Sequence, residues 1–375
     1  MRVDFTENST ALTLGVEQEC QVLDNTTLLL TPRAAEILRA SDSPKLTYEM
    51  FQSTVEVVTG VCADVHEVRD DFNASINQLK STTHQLGLCL ASTGTHPQAD
   101  YRDRLITESP RYHELMDRNQ WLIRRMAVYG MHVHLGMKNG DDCIQFNNFF
   151  LHFVPHLIAL SASSPFWQKM DTGLICCRPT MYEALPTAGI PYMVKNWSHF
   201  EKLLSFLQRS DAIRSLKDLW WDLRPSPKLG TLEIRICDGL ATTKELFGVV
   251  SFVHALAHWF NDHRQEWSET RAPLKQWIFR ENKWRAIRYG LDAPVIVTRT
   301  GKTRMLRTDI AQWLDTLSPY IEKLAYQPFV QVIHEILKNG NSAQRQRNVF
   351  SATHDLGAVA AHNAKEFTVG EPLWN

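Results

Sequence analysis

Gly130-Met131-His132-Val133-His134-Leu135-Gly136 alternates apolar and polar side chains and is bounded by glycine at both ends. That period belongs to a β-strand, which sends His132 and His134 to one face. Two other short segments, far away in the chain, follow the same rule: Gly15-Val16-Glu17-Gln18-Glu19 and Thr231-Leu232-Glu233-Ile234-Arg235. Side by side, Glu-x-Glu, His-x-His and Glu-x-Arg make one wet, charged sheet face. Such a face suits hard cations and phosphate better than a packed core, because buried charge needs a partner.

Outward from these segments the pattern is regular. Leu12 to Val22 alternates and turns at Asp24-Asn25, giving a first hairpin with Thr27 to Leu30. Thr31-Pro32 offers an N-cap and a first-turn proline, so a short helix should run to about Ala40. Leu46 to Thr59 reads as one long strand rich in Thr and Val. Asp64 caps a helix whose apolar stripe is Val65, Val68, Phe72, Ile76, Leu79 and Leu86. Leu88 to Thr95 is a further strand. Ser109-Pro110 starts a second capped helix that ends near Tyr129. Asp141 to Ser163 reads as one long buried helix and Trp197 to Gln208 as another. Asp218 to Arg224 and Thr231 to Cys237 pair around Pro225-Ser226-Pro227-Lys228-Leu229-Gly230. After Thr242 the pattern is almost wholly helical, over about 242–264, 273–289, 308–325, 327–338 and 342–366.

Strands thus concentrate in residues 10–240 and helices in 241–370. The expected fold class is α+β: a mainly antiparallel sheet of about six strands, helices on one face, the other face open to ligand, and a helical C-terminal third. No Pro/Gly linker marks a border, so residues 1–375 are expected to form a single catalytic domain. An apolar content of 44% with 22% charged residues is that of an ordinary soluble globular protein. A net charge of −1 with no basic block excludes a nucleic-acid groove built on charge. Met1 to Glu7 contains no apolar signal core. The most apolar stretch, Phe149 to Phe166, carries His152, Pro155 and His156 and reads as a buried helix, with no membrane partner. Seven cysteines form no CxxC pair, which points to reduced packing thiols and a cytoplasmic location. A homodimer is compatible with a chain of this size.

Glu17 and Glu19, two carboxylates on one strand face, repel unless a cation lies between them; the bland alternative is a solvated edge strand. His132 and His134 could chelate metal, or be one core and one exposed histidine. Glu233 and Arg235 form either a plain ion pair or a metal ligand beside a phosphate-binding guanidinium, whose planar fork suits oxyanions. The preceding strand adds Asp222 and Arg224 at the same spacing. Glu49 and Glu56 are seven residues apart and fall on opposite faces of a regular strand. They share a site only if the strand breaks, with Gln52-Ser53 the expected place. Glu56 sits in Val55-Glu56-Val57-Val58, where a lone carboxylate is costly, so it should be partnered. Arg178, with Tyr182 four residues on, is either a substrate-carboxylate binder or a surface-loop arginine. Gly301-Lys302-Thr303 is no phosphate loop, because position 296 is Ile and no strand–loop–helix frame surrounds it. His152/His156 and His254/His258 read as core-edge histidines, and the tryptophans near 220, 259 and 284 as core.

Taken in order, Gly15-Val16-Glu17-Gln18-Glu19, Ser53-Thr54-Val55-Glu56-Val57-Val58-Thr59, Gly94-Thr95-His96-Pro97, His132-Val133-His134-Leu135-Gly136, Asp222-Leu223-Arg224-Pro225-Ser226-Pro227, Thr231-Leu232-Glu233-Ile234-Arg235, Ala257-His258-Trp259 and Arg288-Tyr289-Gly290-Leu291 resemble the type 2 glutamate–cysteine ligases, the bacterial carboxylate–amine ligase family. The resemblance spans roughly residues 10–370. It implies a glutamine-synthetase-like catalytic fold, an antiparallel sheet curved around an ATP and metal funnel. It implies ATP-dependent amide formation through an acyl phosphate, with glutamate and an amine such as cysteine as substrates and Mg²⁺ or Mn²⁺ as cofactor. Carried over motif by motif, Glu17, Glu19, Glu49, Glu56, His132 and Glu233 would hold divalent ions, with Glu56 also in the catalytic set. Arg235 would face the transferred phosphate, Arg224 would lie beside it, and Arg178 would grip the amino-acid substrate. His134 receives no role. Two rivals stand beside this: a zinc hydrolase using His132, His134 and Glu17, and a non-catalytic nucleotide-binding relative.

Overall fold

The computed structural model describes residues 4–6, 11–270 and 274–374. Of the segments read above, Met1 to Val3, Glu7, Thr10 and position 273 lie outside the described residues. In chain order the strands are β1 (Leu14–Asp24), β2 (Leu46–Tyr48), β3 (Thr54–Val58), β4 (Leu88–Ala91), β5 (Met131–Gly136), β6 (Phe166–Trp167), β7 (Met170–Asp171), β8 (Ala188–Gly189), β9 (Trp220–Trp221), β10 (Leu223–Ser226), β11 (Thr231–Ile234), β12 (Pro294–Ile296) and β13 (Thr303–Met305). Seven of them form the main sheet, in the order β10-β11-β5-β1-β3-β2, with β4 also on β1. Every pair in that sheet is antiparallel. The α+β class and the antiparallel sheet are as the pattern implies, with one more strand than expected.

The period-two rule places the two faces. Leu14, Val16, Cys20 and Val22 of β1, Val55 and Val57 of β3, Val133 and Leu135 of β5, and Leu232 and Ile234 of β11 are all buried in one apolar cluster. Each such side chain contributes roughly 1.5–3 kcal/mol by leaving water. The helix Val65–Gln85 covers part of this face; Asp64 caps it by accepting from the His66 and Glu67 N–H groups. The same cluster runs from Leu12 to Phe367 and takes in the helix Thr243–Thr270, so the helical third and the sheet share one core.

Several long elements are broken where the sequence reads as continuous. Leu46 to Thr59 splits into β2 and β3, and residues 49–53 leave the ladder. The helix from Pro110 stops at Asn119, because Gln120 takes φ 48 and ψ −126, and a short turn Trp121–Arg124 follows. Asp141 to Ser163 is two helices, Gly140–Phe150 and Val154–Ser161, bent by 65°. Pro155 lacks an N–H and sits in the first turn of the second, where none is required. No single described helix is long and apolar enough to cross a membrane. The last helix divides at His354 (φ 53), and Asp355 caps the new one. Thr31 is not the cap of the first helix. Its N–H still bonds Val22 in β1, and the helix Ala34–Ser41 begins after Arg33. Trp220–Trp221 pairs in parallel with β8 rather than extending β10. Trp284 is exposed, not core. Gly301-Lys302-Thr303 closes the small β12–β13 hairpin, strands that the helical pattern of the last third gives no sign of.

Candidate active site

The register of the sheet aligns the charged residues. Across β1 and β3, Glu19 lies opposite Glu56; across β1 and β5, Glu17 lies opposite His132. Across β5 and β11, His134 lies opposite Glu233, and Glu233 in turn lies opposite Arg224 of β10. Three segments about a hundred residues apart in sequence thus meet on one face. Glu49 joins them only through the break between β2 and β3. There its carboxylate accepts the Met50 N–H (2.9 Å), and its carbonyl accepts the Thr107 hydroxyl (2.6 Å).

Three overlapping groups result: Glu17 with Glu56 and His132, Glu17 with His134 and Glu233, and Glu19 with Glu49 and Glu56. Within each, one donor atom per residue lies within 4.8 Å of the others. Glu17 bridges the two histidines, with Oε2 3.0 Å from His132 Nδ1 and Oε1 3.2 Å from His134 Nε2. His134 Nδ1 is 2.9 Å from the Thr231 hydroxyl. Burial, then the nearby Arg235 charge, pushes His132 down to about 4, so its imidazole is neutral. Its Nε2 is buried with no hydrogen-bond partner. For His134 burial works the other way from the outcome: the Glu17 hydrogen bond and the Glu233 charge outweigh it and raise the pKa. Glu17 ends well below the carboxylate range, because its two histidine partners overcome the effect of burial.

Glu19, Glu49 and Glu56 behave oppositely. Burial, then the Glu49 charge, pushes Glu19 up to about 8. Burial also raises Glu49, and burial with the Glu49, Glu17 and Glu19 charges carries Glu56 well above its usual value. The partner expected for Glu56 is thus other acids, and it makes no ion pair among the described residues. Glu233 is the contrast. Burial disfavours its charge, but the Arg235 and Arg224 guanidiniums hold it well below the usual range. Arg224 donates to it from Nε (2.9 Å) and Nη2 (3.1 Å), and Arg235 donates from Nη1. The fork of Arg224 is therefore taken by Glu233. Asp222 stands apart from the cluster, fully buried against Lys283.

Arg178 is buried, not a surface-loop residue. It opens the short helix Arg178–Tyr182 and lies so close to Gly130 that a Cβ there would collide with the guanidinium. Arg178, Arg235, Glu19, Glu49 and His132 border one cavity of about 60 Å³, whose remaining wall includes Met50, Met126, Val128, Tyr182 and Trp220. Of this wall, sequence reasoning named Tyr182 beside Arg178, read the tryptophan near 220 as core, and missed Met50, Met126 and Val128. Met126 and Val128 follow the helix break at Gln120, and apolar side chains give no chemical signal of their own.

The donor set fits a divalent cation. If all were ionised, the five carboxylates (Glu17, Glu19, Glu49, Glu56, Glu233) would outnumber the three guanidiniums (Arg178, Arg224, Arg235), and the upward shifts of Glu19, Glu49 and Glu56 express that shortfall of positive charge. A neutral imidazole with an orphaned nitrogen stands among them. Oxygen-rich sets of this kind favour Mg²⁺ or Mn²⁺ over zinc, which argues against a zinc hydrolase.

Comparison with known proteins gives the family and the fold. The family model described as "Glutamate-cysteine ligase family 2" matches residues 13–362. A Bdellovibrio bacteriovorus protein named "Putative glutamate--cysteine ligase 2" is 41% identical over 353 residues, covering 94% of this chain and 93% of that one. A Gloeobacter violaceus protein of the same name is 40% identical over 366 residues, covering 96% and 98%. Among solved structures, the glutamate–cysteine ligase of Francisella tularensis in complex with AMP superposes with a TM-score of 0.65 at 12% identity, covering 96% of this chain and 90% of that chain. At that identity the likeness is one of fold.

Proposed function

The chain belongs to glutamate–cysteine ligase family 2 and is a C–N bond-forming ligase, and from that premise we propose an ATP-dependent carboxylate–amine ligase that makes a γ-glutamyl amide through an acyl phosphate. The observation that carries the proposal is the cavity bordered at once by Glu19, Glu49 and His132 of the donor cluster and by Arg178 and Arg235. Glu17, Glu19, Glu49, Glu56, His132 and Glu233 would hold divalent cations, with His134 a further candidate in the Glu17–Glu233 group. A bound Mg²⁺ or Mn²⁺ supplies charge neutralisation for the β- and γ-phosphates of ATP.

The protein's own groups do the rest. Arg235, fixed by Glu233, offers its remaining donors to γ-phosphate oxygens. Arg178 binds the α-carboxylate of glutamate and so presents the side-chain carboxylate to the γ-phosphorus. ADP leaves, and the acceptor's neutral amine attacks the acyl phosphate carbon. The amine loses a proton and inorganic phosphate departs. No nucleophile of the protein is consumed; positioning and exclusion of water carry the rate. AMP in the Francisella tularensis structure supports nucleotide binding by a chain of this fold. Cysteine is the nominal acceptor, the substrates are small molecules, and the chain works as one catalytic unit, a view supported by the core that joins Leu12 to Phe367.

The test is phosphate release with ATP, Mg²⁺ and glutamate fixed while all amino acids and simple amines are varied. Release that requires glutamate and one acceptor class, and that vanishes in Glu17→Gln, is expected. Absence of release above background with every pair overturns the proposal.

A further inference from the structure

Beside Arg178 lies a buried chain of polar contacts that the chemistry above does not use. Tyr182, one turn after Arg178, puts its ring 5.3 Å from the Arg178 guanidinium carbon. Its hydroxyl donates to Asp222 Oδ1 at 2.6 Å. Burial, with the Asp222 charge, holds the Tyr182 hydroxyl in its protonated, donating form. Asp222 is fully buried, and Lys283 Nζ donates to both of its oxygens, at 2.8 and 2.7 Å. Lys283 is itself 2% exposed and reaches Glu183 Oε1 as well, at 2.6 Å. The backbone of Asp222 belongs to the same arrangement, since its carbonyl accepts the Arg235 N–H at 2.8 Å.

Arg178 needs such support. Its Nη1 donates only to the Arg235 and Ile236 carbonyls, at 3.3 and 3.4 Å, and its Nε is buried with no partner. Two weak backbone bonds do not fix a guanidinium, whereas a rigid aromatic face beneath it does. Lys283 stands on the helix Gln276–Tyr289, in the C-terminal third, so the relay joins that helix to the sheet.

We propose that Lys283, through Asp222 and the Tyr182 hydroxyl, is a positioning residue that locks Arg178 and the Arg235 backbone for carboxylate recognition. The proposal rests on the function given above for the role of Arg178. It assigns to the C-terminal helix Gln276–Tyr289 a part in substrate binding that no residue of that helix plays by direct contact with the cavity. An ion pair sealed this far from water keeps its geometry only while both partners remain, and removing one leaves the other buried and uncompensated.

The experiment uses full-length protein labelled with ¹⁵N-arginine, with Lys283→Met, Lys283→Arg, Tyr182→Phe and Arg178→Ala compared. Tyr182→Phe keeps the ring and the Lys283–Asp222 pair, so it stays informative where Lys283→Met fails to fold. The Arg178 Nε–H signal is identified by its loss in Arg178→Ala. Expected is a shifted, faster-exchanging signal in Tyr182→Phe and Lys283→Met. In step with it, KM for glutamate should rise about 3-fold in the first and about 10-fold in the second, more than kcat falls, with KM for ATP moving less. Lys283→Arg should recover part of both changes. An unchanged Arg178 signal in folded Tyr182→Phe, with glutamate KM also unchanged, overturns the relay. A displaced signal with glutamate KM unmoved even in Arg178→Ala upholds the relay and instead sinks the assigned role of Arg178.

Discussion

Two groups of buried acids sit at different places in this molecule and are treated in opposite ways. In the helical third, Arg345 lies between Glu245 and Glu366. Its Nε is 2.6 Å from Glu366 Oε1, and its Nη2 is 2.9 and 3.1 Å from the two oxygens of Glu245. Thr242 and the Leu373 N–H fill further acceptor sites. The arginine ties three helices together and supplies a counter-ion to both acids. On the sheet, the carboxylates of Glu19, Glu49 and Glu56 are crowded together and, among the described residues, accept only the Gly130 and Met50 N–H groups and make no ion pair. The difference is one of completion. Where acids serve the fold, the chain supplies the counter-ion; where they face the cavity, the counter-charge is left to a ligand.

Four measurements break or sharpen that contrast. The largest effect is expected from Glu56→Gln. It should lower ATP-dependent phosphate release at least ~1,000-fold, about 4 kcal/mol of transition-state stabilisation, while raising the melting temperature of the metal-free protein, because Gln needs no proton taken up on folding where Glu56, raised well above its usual value, does. Near-normal turnover, or a lower melting temperature, would place Glu56 in the same class as Glu245. Arg345→Met should do the reverse. By leaving two carboxylates buried without their counter-ion it should cost roughly 3–5 kcal/mol in urea unfolding, with turnover per folded molecule retained. Third, Mg²⁺ or Mn²⁺ at about 100 times its dissociation constant should stabilise the wild type by about 2.7 kcal/mol. The same addition should leave Glu56→Gln nearly unmoved and Arg345→Met as responsive as the wild type. Calorimetric scans with and without chelator decide this.

The fourth effect is in pH. Glu19 holds its proton to about 8 in the fold, against an ordinary carboxylate value of 4.5. The native state thus keeps a proton that the unfolded chain has released, and the chelated protein should lose stability as pH rises from about 4.5 to about 8. The decline should be confined to that window and disappear when a divalent cation binds. Glu366 has the opposite sign. Burial opposes its charge, but His362 and Arg345 hold it below the ordinary value. Its contribution is present above pH 4.5 and is lost as pH falls through the native value, with or without metal. Urea midpoints between pH 4 and 9 separate the two; a chelated protein whose stability does not fall above pH 4.5 would show that the Glu19 cluster carries its own counter-charge.

The sequence determined what depends on local period. Side chains two apart on a strand share a face whatever surrounds them, so Glu17 with Glu19, His132 with His134, and Glu233 with Arg235 could be paired before any contact was known. The antiparallel class and the helical last third follow from the same kind of local pattern. Tertiary structure decided what depends on where a strand or helix stops and on what packs behind a side chain. The break over residues 49–53 turns Glu49 toward Glu56, and although a break there is the condition for their meeting, only the surrounding chain selects it. Asp222 and Arg224 look alike in spacing, yet one is claimed by Lys283 and the other by Glu233. Burial likewise turns Arg178 from a loop arginine into a cavity wall. An isolated segment cannot encode these outcomes, because the free energy of a buried charge is set by partners on other elements of the fold.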